Sequence, residues 1–135
     1  MSRIVIDTNV YVSRSLRVGS VPARAVDKAW IESTPLFSRD TWTELRIVLN
    51  RPKFARYLRP GSVEIFLRQV WEVSELVHIP TPIRACRDSR DDKFLEVAVH
   101  GHADLILTGD EDLLALHPFQ GIAIRTPAQY LDLES

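Results

Sequence analysis

The chain is poor in the residues that staple, cradle or anchor a protein. One cysteine, Cys86, among 135 residues excludes an internal disulfide and fits a reducing compartment. Neither sign of charge is in surplus: the formal net charge is −1, so global charge points to no partner. No apolar run approaches the ~18 residues of a membrane span, and no charged-then-apolar leader opens the chain. A cytoplasmic, soluble protein without a membrane partner is expected. Glycine is scarce, at 5 residues, and "PGS" at 60–62 reads as a turn, since the spacing of a phosphate-binding loop is missing. His78, His100, His102 and His117 are scattered and no HExxH occurs, which disfavours a zinc hydrolase. Internal repeats and low-complexity tracts are absent.

What is present is enough apolar residue, 45%, for one domain with a real core. Short β-like runs alternate with longer helical patterns. Strands are expected at 3–6 ("RIVI"), 35–38, 77–79, 104–108 and 122–125. Helices are expected at 9–17, 22–33, 40–50, 62–77, 91–101, 110–116 and 127–133, with a helical turn near 52–58. Pro22 suits a first helical position, Ser62 a cap, and Gly101 a helix end. Strand–helix alternation with continuous apolar strands predicts a parallel sheet covered by helices on both faces. Ligands of such sheets bind outside the carboxyl ends of the strands.

Acids gather at those ends. "IVIDTNVYVS" (4–13) runs a strand straight into Asp7. Glu44 follows the second strand, Asp91 and Asp92 open the helix before the fourth, and Asp110 and Asp112 follow the fourth in "ILTGDED". Carboxylates brought together repel and need cations, protons or basic neighbours. Oxygen donors suit Mg²⁺ or Mn²⁺, and ions ~3.5–4 Å apart can steady both oxygens of an in-line displacement. Each acid also has a plainer explanation. Thr41-x-x-Glu44 reads as a capping box and Ser89-x-x-Asp92 as a looser one, while Asp7, Asp110 or Asp112 could cap helices. Placement of the whole set at strand ends favours a joint role.

Of the 17 basic residues 14 are Arg, which suits phosphates and also carboxylates. Arg46, Arg51, Lys53, Arg56 and Arg59 form a run without an intervening acid, interleaved with Phe54 and Tyr57. That pattern fits a surface tracking a nucleic-acid strand, or a solvated face with its aromatics turned inward. Arg14, Arg17 and Arg24 flank the first acid and are expected to approach phosphates or the acids themselves. Trp30, Trp42 and Trp71 lie in helical patterns and are expected in the core, with Trp71 a candidate for a subunit interface. Cys86 has no neighbouring catalytic His and is expected to be inert.

The chain resembles the PIN-domain family over nearly its whole length. "IVIDTNVYVS" is similar to the opening strand and Asp-Thr-Asn/Ser signature, and "SRDTWTELRIVLNRPKF" to the segment with the second acid. "CRDSRDDKFLEVAVHGHADLILTGDEDLLAL" resembles single-domain prokaryotic members described as toxin components of toxin–antitoxin pairs. The resemblance implies one PIN domain over 1–135, an α/β, three-layer α/β/α Rossmann-like sandwich with a five-stranded parallel sheet. It implies a metal-dependent, VapC-like ribonuclease with Asp7, Glu44, Asp92 and Asp110 as catalytic acids. Asn9, Thr108 and Asp112 would support them, with Asp91 competing for the place of Asp92. On this reading Asp7, Asp92 and Asp110 hold Mg²⁺ or Mn²⁺, and Glu44 positions the attacking water or a second ion. An RNA substrate, a cognate antitoxin and a homodimer are the implied partners. A binding module with idle acids is the rival; a receiver domain or aspartyl phosphatase fits worse, because position 9 is Asn and Glu44 is out of place.

Overall fold

A computed structural model describes residues 2–133. Five parallel strands, β1 (Ser2–Ile6), β2 (Ser33–Phe37), β3 (Glu75–Leu76), β4 (Leu105–Leu107) and β5 (Ala123–Arg125), form one sheet in the order β3-β2-β1-β4-β5. Alternate strand residues feed two cores, because successive side chains point to opposite faces. Ile4, Ile6, Phe37, Leu105 and Leu107 pack with α1 (Thr8–Leu16), α2 (Val21–Glu32), α3 (Arg39–Leu49), α5 (Ser62–Val73) and α8 (Pro127–Asp132). Val5, Leu36, Ile106 and Ile124 pack with α6 (Asp92–His100) and α7 (Glu111–Leu114) on the other side. The result is the expected α/β/α sandwich. A short α4 (Pro52–Ala55) and a 3-10 turn (Ser89–Asp91) complete the order. Among the described residues no helix is long and apolar enough to cross a membrane.

Local chemistry moves several expected boundaries. Helix α5 stops at Val73, where Ser74 turns extended and its hydroxyl donates to the Val70 carbonyl. Strand β3 therefore falls at 75–76 instead of 77–79, although the Val77 amide still donates to Phe37 O. Pro35 lies in β2 just before the stretch paired with β3, so its missing N–H leaves that short ladder intact. The cap of α5 is Gly61, at φ 81°, and Ser62 is already helical. The capping box of α3 is Ser38 with Thr41, which releases Glu44 from any capping role. Gly101 ends α6 without a left-handed turn, and its role is close approach: a Cβ would meet Val97 O at 2.7 Å and Leu36 Cδ1 at 2.9 Å.

The strand order reverses between β1 and β4, one leading to β2 and β3, the other to β5. That reversal opens a crevice at the carboxyl ends of β1 and β4. Asp7 and Thr108 are the residues that follow those two strands.

Candidate active site

Asp7 leaves β1 with its amide donating to Leu107 O of β4 (2.9 Å), which locks it to the reversal point. It is 4% exposed and caps α1: Oδ1 accepts from the Asn9 amide (3.1 Å) and Oδ2 from the Thr108 hydroxyl (2.7 Å). Burial pushes its carboxyl above the ordinary range; the bonds from Thr108 and Asn9 pull it down, and the charges of Asp110 and Glu44 raise it again. Thr108 is fully buried. Its hydroxyl also accepts from the Asp110 amide (3.0 Å), so one side chain sets the spacing of two acids. Asp110 caps α7, accepting from the Asp112 amide at 2.8 Å.

The adjacent acids 91 and 92 separate. Asp92, 8% exposed, turns its Oδ1 to the amides of Ala85 (3.1 Å) and Cys86 (2.7 Å), tying the 85–88 loop to α6. It does not line the acidic cavity. Asp91 does, together with Asp7, Glu44 and Asp110, in a cleft of about 280 Å³. Its Oδ2 is buried and meets no donor among the described residues. Burial, then the charge of Asp110 and a carboxyl–carboxyl hydrogen bond with it, and the charges of Asp88 and Asp7, push the Asp91 carboxyl up to about 7. Asp92, expected as a metal ligand, uses Oδ1 to tie the loop and lies outside the cleft's lining, whereas its competitor Asp91 lines the cleft with the other acids.

Glu44 reaches the cavity from α3 with both oxygens engaged. Oε2 accepts from the Thr8 hydroxyl and Oε1 from Lys93 Nζ at 2.6 Å. Asn9 lines the cleft, and its recorded bond is from the backbone. Asp112 contributes its amide and lies outside the lining.

Arginines divide likewise. Arg51 stands at the cleft as the residue before α4. Arg90 lines it as well, 85% exposed, with its guanidinium and amide donating to Asp88 and holding that carboxyl below its usual range. Arg14 turns away: it stacks over Trp30 (5.1 Å) and Phe66 (5.0 Å) and pairs with Asp27 at 3.3 Å. It borders a separate apolar cleft of about 250 Å³ with Leu58, Val63 and Ile65, which contains no acid. Arg17, Arg46, Lys53 and Arg56 are exposed outside the cavity, with Arg56 over the Tyr57 ring. Trp71, expected in the core, is 51% exposed against Trp42.

Thr8, Asp88, Arg90 and Lys93 escaped the sequence reading. The charge density of "CRDSRDDK" was visible, but nothing in spacing links Lys93 to Glu44, 49 residues away.

The donors are all oxygens, and among the described residues three of the five acids lining the cleft lack a basic partner, while one buried carboxylate oxygen meets no donor. In chemistry and charge that set fits a hard cation. Among the described residues, no three His, Cys, Asp or Glu side chains already meet as an assembled metal site.

Comparison with known proteins agrees with this architecture. A family model described as PIN domain matches residues 3–112. The chain belongs to the PIN-domain family. It is 31% identical over 116 residues to the uncharacterized protein MJ1680 of Methanocaldococcus jannaschii, covering 84% of this chain and 74% of that protein. A chain in the crystal structure of VapBC2 from Rickettsia felis, bound to a DNA fragment from their promoter, has the same fold. The TM-score is 0.62 at 11% identity, covering 92% of this chain and 98% of that one.

Proposed function

We propose that this chain is a Mg²⁺- or Mn²⁺-dependent endoribonuclease, hydrolysing RNA phosphodiester bonds, and the toxin of a toxin–antitoxin pair. The observation that carries the reading is the convergence of Asp7, Asp91 and Asp110 on one open cleft, with Asp91 Oδ2 turned to another carboxylate and given no donor group among the described residues. Asp7, Asp91 and Asp110 would hold the cation, with Asp91 taking the role first given to Asp92. When bound, the cation neutralises those carboxylates and supplies Lewis acidity toward a phosphate oxygen. Thr108 keeps Asp7 and Asp110 in register, and Thr8 does the same for Glu44. Arg51 binds a flanking phosphate, since it lines the cleft with donors in a planar fork, while Arg90 keeps its fork on Asp88. Glu44 accepts a hydrogen bond from the water that attacks phosphorus; the new O–P bond forms as the P–O bond to the leaving oxygen breaks, the water's proton passing to solvent and the leaving oxygen taking one from it.

The antitoxin partner is proposed because the structural neighbour is from a complex named VapBC2. A homodimer and a cytoplasmic location belong to the same proposal. The test is purified protein on structured RNA with Mn²⁺ or with chelator, wild type beside Asp91→Asn and Asp110→Asn. Cleavage that needs Mn²⁺ and disappears in both folded variants is expected. Equal cleavage by Asp91→Asn would remove the assignment. The second reading, a non-catalytic binding module, is favoured by the spread of the acids; its signature is RNA retained but uncut in Mn²⁺.

A further inference from the structure

Lys93 is the cation the sequence reading left out, and it sits against one end of the acid cluster. It projects from α6, which packs on α3, and places Nζ 2.6 Å from Glu44 Oε1. Glu44 Oε2 is taken by Thr8. Both side chains are largely covered, at 24% and 30% exposure, so the attraction is less screened than on an open surface. The charge of Glu44 is therefore already matched by Lys93, and each of its oxygens accepts one hydrogen bond with a lone pair to spare. Among the described residues Asp7, Asp91 and Asp110 have no basic partner, and Asp88 is answered by Arg90. Charge still to be compensated therefore lies on Asp7, Asp91 and Asp110.

We propose that Lys93 is a positioning residue serving as a resident cation, standing where a second divalent ion would otherwise engage Glu44, so that the cleft loads one Mg²⁺ or Mn²⁺. This rests on reading Asp7, Asp91 and Asp110 as the cation site. A primary ammonium is a monovalent point charge that holds the Glu44 side chain in place. A divalent ion joining Glu44 would have to displace it and lose water of hydration as well.

The test counts Mn²⁺ per chain by isothermal titration and by the paramagnetic signal of free Mn²⁺, on wild type, Lys93→Met and Lys93→Arg, with circular dichroism as the check on folding. Wild type and Lys93→Arg are expected to bind one ion, and Lys93→Met two, the second returning to one in the double variant Glu44→Gln/Lys93→Met. Two ions in wild type, or one in a folded Lys93→Met, overturns the inference and leaves the site standing. Should Lys93→Met not fold, Lys93→Gln serves instead: it is expected to bind two ions, and one ion in the folded Lys93→Gln overturns the inference. No ion bound by wild type removes the reading of the acids themselves, and this inference with it.

Discussion

Asp91 and Asp92 are neighbours with different surroundings, and they are expected to fail differently. Asp92 satisfies two backbone amides, so Asp92→Ala leaves both short of a partner. A loss of roughly 1–3 kcal/mol is expected, read as a lower midpoint in denaturant, with Mn²⁺ affinity retained by the folded fraction. Asp91 works in the opposite sense. Its folded-state carboxyl titrates near 7 instead of 3.8, so the folded chain holds this proton more tightly than the unfolded one. That contribution is present below the unfolded value and lost as pH rises through about 7. In chelator, Asp91→Asn is therefore expected to melt above wild type at pH 8, with the gap closing toward pH 4. A gap that widened on acidification would contradict the placement of Asp91. Cleavage by Asp91→Asn should be lost at every pH.

At the scale of elements, helix α6 meets the sheet through Gly101. An added methyl meets a backbone carbonyl, which cannot swing aside, besides Leu36 and Val77. Gly101→Ala is expected to cost about 1–3 kcal/mol by overpacking, seen as a lower midpoint at unchanged m in urea. Strand β3 is held by a bidentate pair from Arg3 of β1 to Glu75 that passes over β2, with Nη2 to Oε2 at 2.6 Å. Arg3 holds the Glu75 carboxyl below its usual range, so any stability it adds is present above the ordinary glutamate pKa and lost on acidification. Both partners are solvated, and Glu75→Gln should change stability by about 1 kcal/mol or less.

Across the whole molecule, acids at the bottom of the cleft and arginines at its mouth form a polarised site. If Arg51 grips a phosphate, replacing it with Ala should lower the salt slope of RNA binding by about 0.7, the share of one single-strand contact, and Arg90→Ala should change it less, because that fork is held by Asp88. Arg14→Ala should leave the slope unchanged, because that guanidinium is spent on Trp30, Phe66 and Asp27. A filter-binding series in chelator, from low to high salt, checks both without cleavage.

The layer architecture and the location of the acids were legible in the order of residues. Continuous apolar runs ending in Asp7, or resuming before Asp110, announce strands covered on two sides with polar ends. Periodicity and strand-end chemistry act over a few neighbours, and such information is carried locally. Which of two adjacent aspartates turns inward was not local: it depends on the 85–88 loop presenting two amides to Asp92. Nor was the pairing of Glu44 with Lys93, or the loss of Arg14 to an aromatic stack. Those outcomes arise only when helices from distant parts of the chain are packed onto one sheet, because hydrogen bonds and ion pairs act at contact, and contact is set by the tertiary fold.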